Sequence, residues 1–175
     1  ERTFLTQKGA EGIFTEEMME AAIASKAKVA GVTGYYLLDR NADRVTDCLE
    51  RLHENGCRIL FDPSPLVSDI ESELLRRVLK ISYIITPNTV EAELIEKISP
   101  VSELIEQGTV VIKKDESEGG SVYFKGAASE ETETFDYEAM KCKVADTTGA
   151  GDSFAGALLF GLLKDMDIRE AVSLA

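Results

Sequence analysis

The run Asp146-Thr147-Thr148-Gly149-Ala150-Gly151-Asp152-Ser153-Phe154 places two glycines around a small residue and follows them at once with a carboxylate. An apolar helical pattern then begins, through Phe154, Ala155, Ala157, Leu158, Leu159, Leu162 and Leu163. A glycine-rich turn feeding a helix leaves backbone N–H groups unpaired at its start. The helix dipole adds roughly half a positive charge at that end. Together these make an anion site suited to phosphate. A carboxylate at such a site would repel the anion, so its chemistry there is to take a proton from a hydroxyl that attacks phosphorus. The plainer reading makes Asp152 a helix-start carboxylate favoured by the dipole.

The run resembles the C-terminal signature of the ribokinase-like (PfkB) sugar kinase family, D-T-x-G-A-G-D-x-F. Every fixed position is present: Asp146, Thr147, Gly149, Ala150, Gly151, Asp152 and Phe154. The resemblance implies an ATP-dependent kinase that phosphorylates a hydroxyl of a small sugar. It implies Asp152 as the catalytic base and Gly149, Ala150 and Gly151 as an anion hole that stabilises charge where it builds up. The family also includes nucleoside kinases, so the acceptor stays open between sugar and nucleoside. A catalytically silent nucleotide-binding or regulatory relative, or a phosphate-binding module without transfer, stands beside these. No G-x-x-x-x-G-K-[ST] occurs, which argues against a P-loop NTPase.

Further segments carry the same resemblance. Asn88-Thr89-Val90-Glu91 is similar to the family's N-x-x-E motif, which helps position Mg²⁺ and the nucleotide phosphates. A triphosphate needs a divalent cation, usually held through water with one or two protein oxygens. Read from residue types alone, Asn88 is an N-cap and Glu91 an acidic first-turn residue. Val110 to Ser121 resembles the family's strand, glycine-containing turn and second strand beneath the nucleotide. Gly119 and Gly120 match the later glycines, and Lys113 with them is assigned to nucleotide binding. Asp115 stands where an earlier glycine is usual, and the loop is one residue longer. The acidic loop Asp115-Glu116-Ser117-Glu118 would repel phosphates, which puts it near the base or ribose or in solvent. A plain solvated hairpin turn is the competing reading.

The resemblance gives three more assignments. Asp146 with Thr148 matches a monovalent-cation site beside the anion hole, which implies K⁺ stimulation; bracing of the loop by Asp146 is compatible with it. Asp62, in Asp62-Pro63-Ser64-Pro65, matches a strand-end aspartate near the acceptor, although a proline-fixed loop explains the same residues. Some family members place an arginine a few residues on, and none occurs here before Arg76. Gly9, with Ala10, resembles a small-residue pair that approaches substrate.

These residues must be positioned by alternating strands and helices. Strands are predicted over 2–6, 29–36, 57–61, 83–85, 109–113, 121–125 and 132–137. The strand over 29–36 is expected to be broken at Gly31 and Gly34. Helices are predicted over 16–26, capped by Thr15, and over 42–54, 69–79, 90–97, 101–106, 154 onward and 168–175. Such alternation implies parallel pairing through right-handed crossovers. Ligands then bind beyond the carboxyl ends of the strands, so Asp62, Asn88, Lys114 and the signature loop are expected to converge. The fold class expected is a three-layer α/β/α with a mostly parallel central sheet.

The 175 residues suit one domain. The chain starts without Met inside a predicted strand and stops inside a predicted helix. It is therefore expected to be a single α/β kinase domain, 1–175, incomplete at both ends. It is expected to lack the N-terminal lid and substrate part of the family. The net charge of −13, from 32 acidic and 19 basic residues, disfavours nucleic acid and anionic membrane as partners. No apolar run reaches the length of a membrane span. Cys48, Cys57 and Cys142 lack metal-like spacing and are expected to be reduced thiols of a cytoplasmic protein. His53 is expected on a helix surface. Lid-mediated dimers occur in the family, which adds a homodimer to what the resemblance implies.

Overall fold

In the computed structural model, residues 9–10, 12–38, 40–115, 118–126, 131–141, 143 and 146–175 are described. The strand predicted over 2–6, and Cys142, lie outside them.

Six strands form one sheet in the order β1 to β6: Val29–Thr33, Arg58–Asp62, Ser82–Ile85, Val110–Asp115, Gly119–Lys125 and Thr132–Tyr137. The first four run parallel, and β5 and β6 are added antiparallel. The helices are α1 (Glu16–Ala24), α2 (Ala42–Glu54), α3 (Ser72–Ile81), α4 (Thr89–Glu96), α5 (Val101–Glu106), α6 (Ala150–Leu163) and α7 (Ile168–Leu174).

Successive strand side chains point to opposite faces, and the strands here carry apolar residues on both. Ile59, Phe61, Ile85 and Val111 join a core with buried residues of α1 to α5. Their neighbours Leu60, Ile84, Val110 and Ile112 join a second core with Leu158 and Leu162 of α6 and Ala171 and Val172 of α7. Strands apolar on both faces must be covered on both, and the result is the expected three-layer architecture with a mostly parallel sheet. Burial of each large aliphatic side chain is worth about 1.5–3 kcal/mol.

Local chemistry explains the element ends. Thr15 accepts a hydrogen bond from the Met18 N–H at 3.2 Å and starts α1. The stop of α2 is Asn55-Gly56, with Gly56 at φ +83°. Arg77 of α3 donates to Glu50 Oε1 at 2.9 Å and to Asp47 Oδ1 at 2.7 Å, tying α3 to α2.

Several boundaries differ from expectation, among them the start of α6, which is Ala150 rather than Phe154. β1 ends at Thr33, and Gly34–Leu37 is a 3₁₀ turn. A Cβ on Gly34 would stand 1.8 Å from the Pro63 carbonyl oxygen, so the chain turns away where the loop after β2 presses on it. Gly31 does not break the strand: it pairs with Leu60, and a Cβ there would stand 2.8 Å from Leu159 Cδ1. The helix expected from Asp69 begins at Ser72, after a 3₁₀ turn at Val67–Asp69. β5 begins at Gly119 rather than Ser121.

Candidate active site

Parallel register aligns Thr33 with Asp62, Phe61 with Ile85, and Ile85 with Val111. The carboxyl ends of β1 to β4 therefore form one edge. Asp62 closes β2. Asn88 follows β3 and caps α4. Lys114, near the end of β4, pairs with Asn88, and its N–H donates to the Pro87 carbonyl at 2.8 Å. The Lys114 ammonium reaches Asp62 Oδ2 at 3.2 Å.

The signature loop meets this edge. Gly149 takes φ +76°, the left-handed conformation that glycine adopts without steric cost, and α6 starts after it. The Ala150 N–H donates to the Thr147 carbonyl at 3.2 Å, and the Ser153 N–H to the Gly149 carbonyl at 2.8 Å. Among the described residues, the N–H groups of Gly151 and Asp152 meet no acceptor. Two donors are thus left at the positive end of a 14-residue helix. Asp62 Oδ2 lies 3.9 Å from where a Cβ on Gly151 would stand. Asp152 Oδ2 lies 4.0 Å from the corresponding point on Gly149, so this exposed carboxylate leans over the loop. Asp146 Oδ1 accepts from both the Thr148 N–H and the Thr148 hydroxyl, each at 2.8 Å, and braces the turn.

Asn88 and Glu91 form a reciprocal capping box. Asn88 Oδ1 accepts from the Glu91 N–H at 2.9 Å. Glu91 Oε2 accepts from the Asn88 N–H at 2.9 Å, and Oε1 from Asn88 Nδ2 at 3.0 Å. Glu91 is only 4% exposed. That burial pushes its carboxyl above the ordinary glutamate value; the Asn88 hydrogen bond and the Lys114 ammonium draw it down, and Asp62 adds repulsion. Glu91, Lys114 and Asp62 therefore act on one another.

The expected convergence of Asp62, Asn88, Lys114 and the signature loop is what the edge displays, but other assigned residues stand apart. The pleat turns Lys113 to the sheet face opposite Ile112 and Lys114, so Lys114 faces the loop instead. Gly119 and Gly120 lie inside β5 rather than in a turn. Gly119 has φ +107° and a Cβ there would stand 2.0 Å from the Tyr137 carbonyl oxygen; a Cβ on Gly120 would stand 2.1 Å from the Lys113 carbonyl oxygen. Their small size serves the close approach of neighbouring strands. Gly9 is exposed, ahead of α1. Cys48 and Cys57 are buried and free, and His53 is exposed on α2.

Sequence reasoning missed two features. The Tyr137 ring stacks on Phe154, centroids 6.0 Å apart and 23° between planes, and fixes the first turn of α6 against β6. The hydroxyls of Ser64 and Thr86, at the carboxyl ends of β2 and β3, are buried without a partner among the described residues. Ser64 also takes φ +68°. The signal for the first was an aromatic on each element; nothing in the sequence signals the second.

Arranged this way, the edge can hold an anion at the α6 terminus and offer it a carboxylate and an ammonium. A sequence model of the pfkB family of carbohydrate kinases matches residues 1–175. An uncharacterized sugar kinase of Escherichia coli strain K12, YegV, is 27% identical over 184 residues, covering 99% of this chain and 54% of that protein. Adenosine kinase of Saccharomyces cerevisiae is 25% identical over 189 residues, covering 99% of this chain and 55% of that protein. The structure of Burkholderia thailandensis nucleoside kinase in complex with inosine superposes with a TM-score of 0.68 at 25% identity, covering 88% of this chain and 50% of that one. The chain spans about half the length of these relatives.

Proposed function

Because the chain belongs to the pfkB family of carbohydrate kinases, we propose that it carries the phosphoryl-transfer centre of an ATP-dependent kinase acting on a hydroxyl of a small sugar. The carrying observation is the loop at Gly149, whose left-handed turn leaves the Gly151 and Asp152 N–H groups without acceptors at the head of α6, beside the Asp152 carboxylate.

The acceptor oxygen forms a bond to the γ-phosphorus of ATP. The bond from that phosphorus to the β,γ-bridging oxygen breaks, and ADP leaves. The acceptor proton passes to the Asp152 carboxylate. In the anion hole formed by Gly149, Ala150 and Gly151, the N–H groups of Gly151 and Asp152 stabilise the charge on the transferring group. Such transfer needs positioning and charge stabilisation more than covalent chemistry.

Mg²⁺ fits the residues present. Among the described residues no cluster of three metal-ligating side chains occurs, and Mg²⁺ usually takes one or two carboxylates with water and phosphate oxygens. Glu91, oriented by Asn88, would supply that carboxylate, acting on the ion through water. When bound, the ion supplies charge neutralisation at the nucleotide phosphates. Asp146 and Thr148 are assigned to K⁺ in addition to the brace they form. Asp62 is assigned to the acceptor side, and β4 and β5, whose close approach Gly119 and Gly120 allow, to the nucleotide side, with Lys114 rather than Lys113 facing the loop. Gly9 keeps its assignment to substrate. The protein is proposed to work in the cytoplasm on a small molecule, as a homodimer.

A nucleoside acceptor is the second reading, favoured by the likeness to adenosine kinase and to a nucleoside kinase that holds inosine. The test is ADP release from Mg·ATP by the full-length protein against a panel of sugars and nucleosides, with Asp152→Asn alongside. Turnover with one acceptor, lost in the variant, supports the kinase reading and names the substrate. A folded protein that binds ATP and turns over no acceptor overturns it in favour of a silent or regulatory relative.

A further inference from the structure

Lys114 is the residue at this edge whose presence the fold does not require. It follows Val110, Val111, Ile112 and Lys113 on β4, and its side chain is only 22% exposed, against 19% for its partner Asp62. Taking two charges this far out of water is costly, and an apolar pair of similar volume often stabilises a fold as well or better. Stability therefore does not account for an ammonium here.

The local charge does. Asp62 and Asp152 place two carboxylates at the head of α6, and Glu91 adds a third that acts on Asp62 and Lys114, in a chain of net charge −13. A nucleotide triphosphate adds several more negative charges. The partial charge of the helix terminus, roughly half an elementary charge, is small against that sum. Lys114 brings a full positive charge to the same place. Its ammonium and Gly151 border the same oxygen, Asp62 Oδ2, at 3.2 Å and, for the point where a Cβ would stand on Gly151, at 3.9 Å. The backbone of Lys114 is held by Pro87 and paired with Asn88, so the ammonium is carried by the same strand end that carries the capping box. An ammonium has three donors, and Asp62 uses one.

We infer that the Lys114 ammonium contacts a non-bridging oxygen of the γ-phosphoryl group during transfer, and that Asp62 positions it there. This rests on the kinase reading above. Asp62 and the phosphoryl oxygen share the ammonium, so the charge is in place before the nucleotide arrives. Preorganised charge of this kind acts where negative charge develops. Lysine suits the task as a compact point charge on a flexible stem.

The test is nucleotide binding and turnover by the full-length protein with Lys114→Met and Lys114→Arg. ATP and ADP affinities are measured calorimetrically without acceptor, and kcat and KM with the acceptor found active. Expected for Lys114→Met is a loss of about 10²–10³-fold in kcat. Its preference for ATP over ADP should fall about tenfold or more, with partial recovery of both in Lys114→Arg. If Lys114→Met does not fold, Lys114→Gln, which keeps a donor toward Asp62, gives the same comparison. An unchanged ATP-to-ADP ratio in a folded neutral variant overturns the assignment, as does an equal loss for both nucleotides. The binding ratio is readable without turnover. A wild type that prefers ATP through Lys114 but turns over nothing would sink the kinase reading and keep the contact. A wild type that binds neither nucleotide overturns both.

Discussion

Lys114 Nζ and Asp62 Oδ2 stand 3.2 Å apart and join the ends of β4 and β2 across β3, which lies between them in the sheet. The pair closes the carboxyl edge over Thr86, whose buried hydroxyl has no partner among the described residues. It also brings a cation, 52 residues on from Asp62 in sequence, to within reach of the α6 terminus.

Asp152→Asn is expected to lower the rate of transfer by about 10²–10⁴-fold, the range for loss of a general base. Removing the negative charge should leave ATP affinity equal or improved. Parallel ADP-release and ATP-binding measurements check it; an active Asn variant would exclude Asp152 as the base.

Gly149→Ala should destabilise by about 1–2 kcal/mol, the cost of the left-handed conformation for a residue with a Cβ. Gly149 sits at φ +76° and opens α6, so activity should fall further than global stability. The check is a denaturation midpoint beside kcat, and equal stability of the two proteins would refute the strain argument.

Gly34→Ala should cost more than Gly56→Ala. A Cβ at Gly34 meets the Pro63 carbonyl oxygen at 1.8 Å, whereas the surroundings of Gly56 are open and only its φ of +83° is strained. About 2–4 kcal/mol is expected for the first and about 1 kcal/mol for the second. Urea denaturation ranks them, and the reverse order would contradict the close packing of the turn against the loop after β2.

Glu91 makes stability depend on pH. Burial raises its carboxyl above the ordinary value of 4.5 in the folded state, so the folded protein holds its proton at pH values where the unfolded chain has released it. The contribution is fully present below the unfolded value and is lost as pH rises through the raised folded value. Glu91→Gln removes the titration while weakening the capping box. The stability difference between wild type and variant should therefore shrink in the wild type's disfavour from about pH 4.5 upward. Denaturation midpoints of both proteins across pH 4 to 8 test this, and parallel curves would count against it.

Much of the fold was legible in the chain. Helices over Ala42–Glu54 and Val101–Glu106 and the strand Thr132–Tyr137 have the predicted bounds, because caps, Asn-Gly and Pro stops and hydrophobic period are local signals. The overrun of β1 past Thr33 shows where local signals end. Tyr35 and Tyr36 favour a strand by propensity, and only the Pro63 carbonyl pressing on Gly34 bends the chain away. Gly119 and Gly120 read as turn glycines for the same reason: what crowds them, β6 at Gly119 and chiefly β4 at Gly120, is brought by strand pairing, not by their immediate neighbours in sequence.

By itself, the sequence determined the signature loop, its helix and the alternation of strands and helices, since each depends on spacing within a few residues. That Asp62 meets Lys114 and Gly151, with Glu91 acting on the pair, was decided by tertiary structure. Parallel register aligns strand ends far apart in the chain, and the pleat selects Lys114 over Lys113 by the single-residue step that turns a side chain from one sheet face to the other.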